Sequence, residues 1–191
     1  MADQGSEGLL SPLLQRARLN AARPWLRGHI LDVGCGTGAL AEAYPEADYL
    51  GFDRDAQALE IAIENRPNHR FTDRFPSGEE FDTIVALAVI EHLPNPEAEL
   101  RKWSSCLTPK GRVVLTTPHR AFHSIHDIGA RVGIFSSSAA EEHQELFDKR
   151  SLHSLAARCG LTPVKYERFL CGANQLFIAE RPQDVSRHRD L

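Results

Sequence analysis

An apolar strand that runs into three alternating glycines and then turns helical, His29-Ile-Leu-Asp-Val-Gly-Cys-Gly-Thr-Gly-Ala39, constrains this chain more than any other segment. Gly34, Gly36 and Gly38 can take positive φ and expose N–H groups that a Cβ would shield. A glycine turn of this kind, placed between a strand and a helix that begins near Gly38, predicts close approach of backbone to a nucleotide-like ligand.

Two ligands compete for the turn. Gly34-x-Gly36-x-x-Ala39 satisfies the relaxed dinucleotide fingerprint, and Asp53 stands about 20 residues on, where an acid for ribose hydroxyls belongs. A nicotinamide-dependent oxidoreductase is therefore one reading. Asp32, flanked by Leu31 and Val33 inside a buried strand, separates it from another. An ionised carboxylate there is costly unless something answers it. A pyrophosphate gains nothing from a nearby anion, whereas S-adenosylmethionine presents an ammonium and a sulfonium. Asp32 favours the cationic ligand.

A chain of 191 residues fits one domain with a real core and leaves no room for a second catalytic domain. With a net charge of −4 and a pI near 6.1 it has no basic excess, which argues against long nucleic acid as a partner and for a small molecule. Cys35, Cys106, Cys159 and Cys171 are widely spaced and form no C-x-x-C pair, as expected of reduced thiols in a cytoplasmic protein. The N-terminal residues have neither a basic start nor a long apolar run, and no segment approaches the apolar length of a membrane span. The expectation is a cytoplasmic monomer or homodimer.

Along the chain, Ser11-Pro12 opens a leading helix whose apolar stripe is Leu10, Leu13, Leu14, Ala17 and Ala21, so residues 1–24 read as a helix packed on the core. Strands follow near 29–33 and 47–52, then Asp55 caps a helix reaching about Asn65. A short strand near 69–72 precedes the continuously apolar run 81–87, which suits a parallel strand covered on both faces. Asn95-Pro96-Glu97 opens a helix with Leu100, Trp103 and Leu107 inward, and Pro109-Lys110-Gly111 turns the chain into a strand over 112–117. Trp25 and Trp103 read as packing residues. Residues 119–147 break the pattern and read as a lid or substrate segment. A helix ended by Gly160 and two β-rich runs, 164–170 and 174–180, close the domain as an antiparallel pair, with 182–191 a short tail. Asn174-Gln175, at the start of the last run, reads as structural. The alternation predicts an α/β Rossmann-like, doubly wound and mostly parallel sheet with helices on both faces, and ligands in such sheets bind beyond the carboxyl strand ends.

Leu31-Asp-Val-Gly-Cys-Gly-Thr-Gly38 resembles the first motif of class I S-adenosylmethionine-dependent methyltransferases, and Gly51-Phe-Asp53 their acidic second strand end. Phe81-Asp-Thr-Ile-Val-Ala86, Glu91-His-Leu93 and the passage 107–118 follow in the family's order, so the resemblance covers 25–181. It implies a seven-stranded sheet with one antiparallel strand, and S-adenosyl-L-methionine as donor, with S-adenosyl-L-homocysteine as product. It also implies a donor site built from Asp32, Gly34, Cys35, Gly36, Gly38, Asp53 and Arg54, with Asp73 near the adenine and Leu87 and Ala88 on the pocket floor. Related small-RNA and ubiquinone-pathway enzymes carry Glu-x-x-Glu-His after the fourth strand. Here Ala88 replaces the first glutamate, leaving Glu91-His92 too few ligands for Mg²⁺, and no metal is expected. The base for a hydroxyl acceptor is sought among His92, His119, His123, His126 and His143. Residues 142–147, Gly160-Leu161 and 174–177 are similar to methyltransferases of cell-envelope glycan gene clusters, so the acceptor is expected to be a glycan- or quinone-type metabolite. A subunit that binds the donor without catalysis is the further alternative.

Overall fold

The computed structural model describes residues 11–120 and 146–183. Seven strands form one sheet in the order β3-β2-β1-β4-β5-β7-β6. They are β1 (Ile30–Val33), β2 (Tyr49–Phe52), β3 (Arg70–Thr72), β4 (Phe81–Leu87), β5 (Leu107–Pro118), β6 (Thr162–Phe169) and β7 (Asn174–Glu180). Pairs β1/β2, β1/β4, β2/β3 and β4/β5 are parallel, while β7 runs antiparallel to both its neighbours, β5 and β6. This is the mostly parallel Rossmann-like sheet with one reversed strand that the sequence predicts. The described α-helices are α1 (Ser11–Ala22), α2 (Ala56–Asn65), α3 (Pro96–Ser105) and α4 (Lys149–Arg158).

Side-chain alternation along the central strands divides the core in two. Leu31, Val33, Ile84, Ala86, Val113 and Leu115 face Leu100 and Trp103 of α3 and Leu152, Leu155 and Ala156 of α4. Ile30, Tyr49, Val85, Val114 and Ile178 face the other way, toward Ala22 of α1 and the turn holding Leu40 and Ala41. Both layers exclude water from β1 and β4, which is why these strands read as apolar runs. Trp103 is fully buried in the first layer, and Trp25 packs at the margin of the second.

Three local expectations need correction. No α-helix starts at Gly38: turns over 36–40 and a 3₁₀ turn, Ala41–Ala43, carry the chain to β2. Pro45 bars the continuation, and so short a stretch does not overcome helix nucleation. One member of the stripe proposed for α1 faces solvent, for Leu13 is 63% exposed, whereas Leu14, Ala17 and Ala21 are half-buried, Leu10 lies outside the described residues, and Leu19 and Ala22 join the core contacts. Finally, β5 begins at Leu107 rather than 112. Pro109-Lys110-Gly111 is an excursion inside the strand, with Lys110 at φ 67, and it shifts the register from Phe81↔Leu107 to Thr83↔Arg112.

The described residues on either side of 121–145 meet at one point. Arg120 N–H donates to Phe147 O (3.1 Å) and His119 N–H to Ala173 O (2.9 Å). The Gln175 amide, itself fully buried, donates to Pro118 O (3.1 Å) and Phe147 O (3.0 Å) and accepts from the Tyr166 hydroxyl (3.0 Å). Gln175 is thus structural, as predicted. No helix among the described residues is long and apolar enough to cross a membrane.

Candidate functional site

The glycine turn is held open by its own hydrogen bonds. Gly34 N–H and Cys35 N–H both donate to Phe52 O (2.8 and 3.2 Å), and Gly38 N–H to Cys35 O (3.0 Å). Gly36 N–H donates to Asp53 Oδ2 at 2.8 Å. These amides are therefore spent on the fold instead of being exposed to a ligand, which corrects one expectation. Positive φ is confirmed, at 70°, 52° and 79° for Gly34, Gly36 and Gly38. A side chain at Gly34 would collide with Val89 after β4, whereas a Cβ at Gly36 would meet nothing within 4 Å. The turn thus packs on one side and leaves space on the other, at the carboxyl ends of the parallel strands.

Asp53 closes this cradle from β2. Its Oδ1 accepts from Asp55 N–H (3.0 Å), so each carboxylate oxygen is oriented by one backbone amide and keeps acceptor capacity for a ligand. Asp55 caps α2 through Gln57 N–H and Ala58 N–H, as predicted. Asp53 N–H in turn donates to Thr72 O (3.2 Å), which brings exposed Asp73, just past β3, onto the same rim. Arg54 points away and pairs with Glu99 of α3 at 3.3 Å.

Asp32 lies inside the buried strand β1, where the sequence reading finds an ionised carboxylate costly unless it is answered. It is 3% exposed and accepts from the Tyr49 hydroxyl at 2.7 Å. Burial pushes its acid from 3.8 up to about 7, against the pull of the Tyr49 hydrogen bond and with a further push from Asp53. Near neutral pH the folded protein therefore holds this acid in both protonation states. Cys35 is buried beneath the turn, and its thiol is pushed well up by burial and by the Asp32 and Asp53 charges, which makes it unreactive. Nothing in the sequence marks Tyr49 as the partner of Asp32, because the parallel register Ile30↔Tyr49 creates the contact.

At the end of β4, Leu87 is half-buried and Ala88 adopts φ 58, with its N–H on Thr116 O (2.8 Å). A non-glycine residue in the left-handed region at this edge is a strained backbone of the kind that collects at ligand sites. The 3₁₀ turn Ile90–His92 then sends its side chains in different directions: His92 is exposed, whereas Glu91 is 2% exposed. Neither Glu91 oxygen has a hydrogen-bond partner. Burial raises its acid, opposed by its own backbone, His92, Thr117 and Arg18, with the Thr117 hydroxyl outside hydrogen-bond geometry. No group of three potential metal ligands occurs among the described residues, and the divergence of Glu91 and His92 gives a metal no shared face. Arg18, which sequence reasoning missed, reaches from α1 to buried Asn174 at 3.0 Å and ties the leading helix to the start of β7.

His119 follows β5 directly and is half-buried, its imidazole held below its ordinary value chiefly by burial and secondarily by Arg168. His123, His126 and His143 lie outside the described residues. One sheet edge therefore gathers the glycine turn, Asp32, Asp53, Asp73, Leu87, Ala88, His92 and His119, in an arrangement suited to a ligand lying across β1, β2 and β4 with a second molecule beside it at β5.

A methyltransferase domain family matches the chain over residues 6–166. Among curated relatives, a ubiquinone biosynthesis O-methyltransferase of Haemophilus ducreyi is 28% identical over 59% of this chain and 54% of its own length. A malonyl-[acyl-carrier protein] O-methyltransferase of Halalkalibacterium halodurans is 35% identical over 51% of this chain and 42% of its own. The chain thus spans about half the length of the curated relatives it matches. Among solved structures, magnesium protoporphyrin IX methyltransferase from Synechocystis PCC 6803, with bound SAH, superposes with a TM-score of 0.71 at 15% identity, covering 94% of this chain and 90% of that one. An N-methyltransferase from Bradyrhizobium japonicum gives 0.64 at 17% identity over 92% and 100%. At such identities the structures bear on the fold.

Proposed function

The chain belongs to the class I S-adenosylmethionine-dependent methyltransferases, and from that premise we propose that it methylates an oxygen of a small hydroxylated metabolite of glycan or quinone type. The observation that carries the reading is the Gly36 N–H···Asp53 hydrogen bond, which joins the turn after β1 to the end of β2 beside the open face of Gly36. The O-methyltransferase names of two curated relatives support oxygen as the acceptor atom.

The donor supplies a methyl carbon already activated by its positive sulfonium. The residues present fit it. Asp53 offers oriented carboxylate oxygens to the ribose hydroxyls, and the left-handed turn at Gly36 leaves room that a side chain would fill. Asp32 supplies charge to the methionine end, with Cys35 and the turn around it, and Leu87 and Ala88 form the floor. Asp73 borders the adenine side. The protein's contribution is alignment and exclusion of water, since the chemistry needs an in-line approach. His119, held toward its neutral form, is suited to accept the proton of an acceptor hydroxyl at the end of β5, with His92 the other described candidate.

Titration calorimetry with S-adenosylhomocysteine tests the reading. The wild-type chain is expected to bind it and not NAD(P)H, and Asp53→Ala is expected to lose about tenfold or more in affinity, as for a charge-assisted hydrogen-bond pair removed. Binding of NAD(P)H with no response to S-adenosylhomocysteine sinks it. Binding without product from hydroxylated acceptor pools reassigns the chain as a non-catalytic subunit.

A further inference from the structure

Donor binding leaves unexplained a cleft of about 570 Å³ at the far side of the same edge, between the end of β5, the first turn of α4 and β6. Arg120, Lys149, Arg150 and Arg168 line it, and Asp148 is the one acid among the described residues of its wall. Asp148 is already engaged by Arg120 at 2.9 Å, and Lys149 and Arg150 form no ion pair among the described residues. Four cations around one cleft run against the composition of a chain whose net charge is −4.

Their placement also runs against helix electrostatics. Lys149 and Arg150 are the first two residues of α4, whose first turn holds no acid. The positive end of a helix dipole favours carboxylates there and disfavours cations, so the stability of α4 does not account for this pair. Both residues are exposed, so packing does not account for them either. Tyr166 lies beneath Lys149, 5.7 Å from ammonium to ring, and gives the cleft a flat wall. His119 is also on the wall, its imidazole lowered first by burial and then by Arg168, with Asp148 opposing.

We propose that this cleft binds the anionic end, a phosphate or carboxylate, of the methyl acceptor. The inference rests on the methyltransferase reading and adds a substrate class to it. Strands lie about 4.8 Å apart, so the ends of β5, β7 and β6 that the cleft spans lie roughly 5–15 Å from the end of β4. The acceptor is accordingly a molecule whose oxyanion lies within that span of the hydroxyl it presents beside His119, on the wall of the same cleft.

The test is calorimetry on the full chain with inorganic pyrophosphate and with citrate, chloride holding the ionic strength constant. At least one probe is expected to bind, and the Lys149→Glu/Arg150→Glu variant to weaken it by about tenfold or more. The stronger of the two identifies phosphate or carboxylate as the natural group. Affinity for S-adenosylhomocysteine, measured on the same samples, is expected to stay within about twofold, which reports that the variant is folded. The milder Lys149→Gln/Arg150→Gln pair replaces it where the reversal unfolds the chain. Equal probe binding by wild type and variant, or no binding of either probe, overturns the proposal. Failure of the wild type to bind S-adenosylhomocysteine overturns the underlying reading instead, and the separate titrations keep the two failures apart.

Discussion

On the proposed donor reading, Asp32 sets stability against ligand affinity within one side chain. Its acid rises from 3.8 in the unfolded chain to about 7 when folded. The folded protein therefore keeps a proton that the unfolded chain releases, so this stabilisation is fully present below about pH 3.8 and is lost as pH rises through about 7. Asp32→Asn removes the titration while keeping an acceptor for the Tyr49 hydroxyl. The substitution is expected to raise unfolding stability by about 1–3 kcal/mol at pH 8, with a smaller gain at pH 5, and to weaken donor binding. Denaturant titrations at the two pH values check it: equal gains at both show that the carboxyl does not titrate as described. The sequence showed that a carboxylate lies in a buried strand. The structural answer, a tyrosine from the next strand, depends on register and was not legible.

Among the elements, those defined by local chemistry were legible and those defined by competition were not. Helix α2 is capped by Asp55 and α3 by Asn95, both visible as short polar residues before helical runs. The stretch after Gly38 has residues that favour a helix, yet Pro45 leaves it a 3₁₀ turn, Ala41–Ala43, with a second, Glu46–Asp48, leading into β2. The continuation of β5 through a proline-glycine excursion was hidden for a similar reason: pairing with β4 on both sides of the bulge outweighs the local turn signal. Helix α4 offers a test at this scale. Asp148 accepts from Ser151 N–H at 2.9 Å, and the Ser151 hydroxyl accepts from Asp148 N–H at 2.9 Å, forming a closed capping box. Asp148→Ala is expected to cost about 0.5–2 kcal/mol by thermal unfolding. The Ser151 amide, then Arg120, holds the Asp148 acid below its ordinary value. The wild-type advantage is therefore present above the unfolded value and lost as pH falls through the folded one. An advantage that persists undiminished in acid contradicts the cap.

For the whole molecule, a mostly parallel sheet with a ligand edge at its carboxyl ends followed from the alternation of strands and helices, while the seven-stranded order with one antiparallel strand came from the resemblance. The acceptor side did not, because residues 119–147 have no period to read and three of the candidate histidines fall outside the described residues. The described flanks still predict a property of that stretch. Arg120 and Phe147 are bonded backbone to backbone, and Gln175 fastens both strands of the junction to β7. Closing a loop across ends already held together costs little more for a long segment than for a short one. Replacing 121–145 with a short Gly/Ser linker is expected to leave S-adenosylhomocysteine affinity within about threefold and the melting temperature within about 4 °C of the parent. Loss of cooperative unfolding shows instead that the stretch belongs to the core. If the junction behaves as described, it works as a socket. A segment of another length or sequence then fits between Arg120 and Phe147 with the glycine turn across the sheet left as it is.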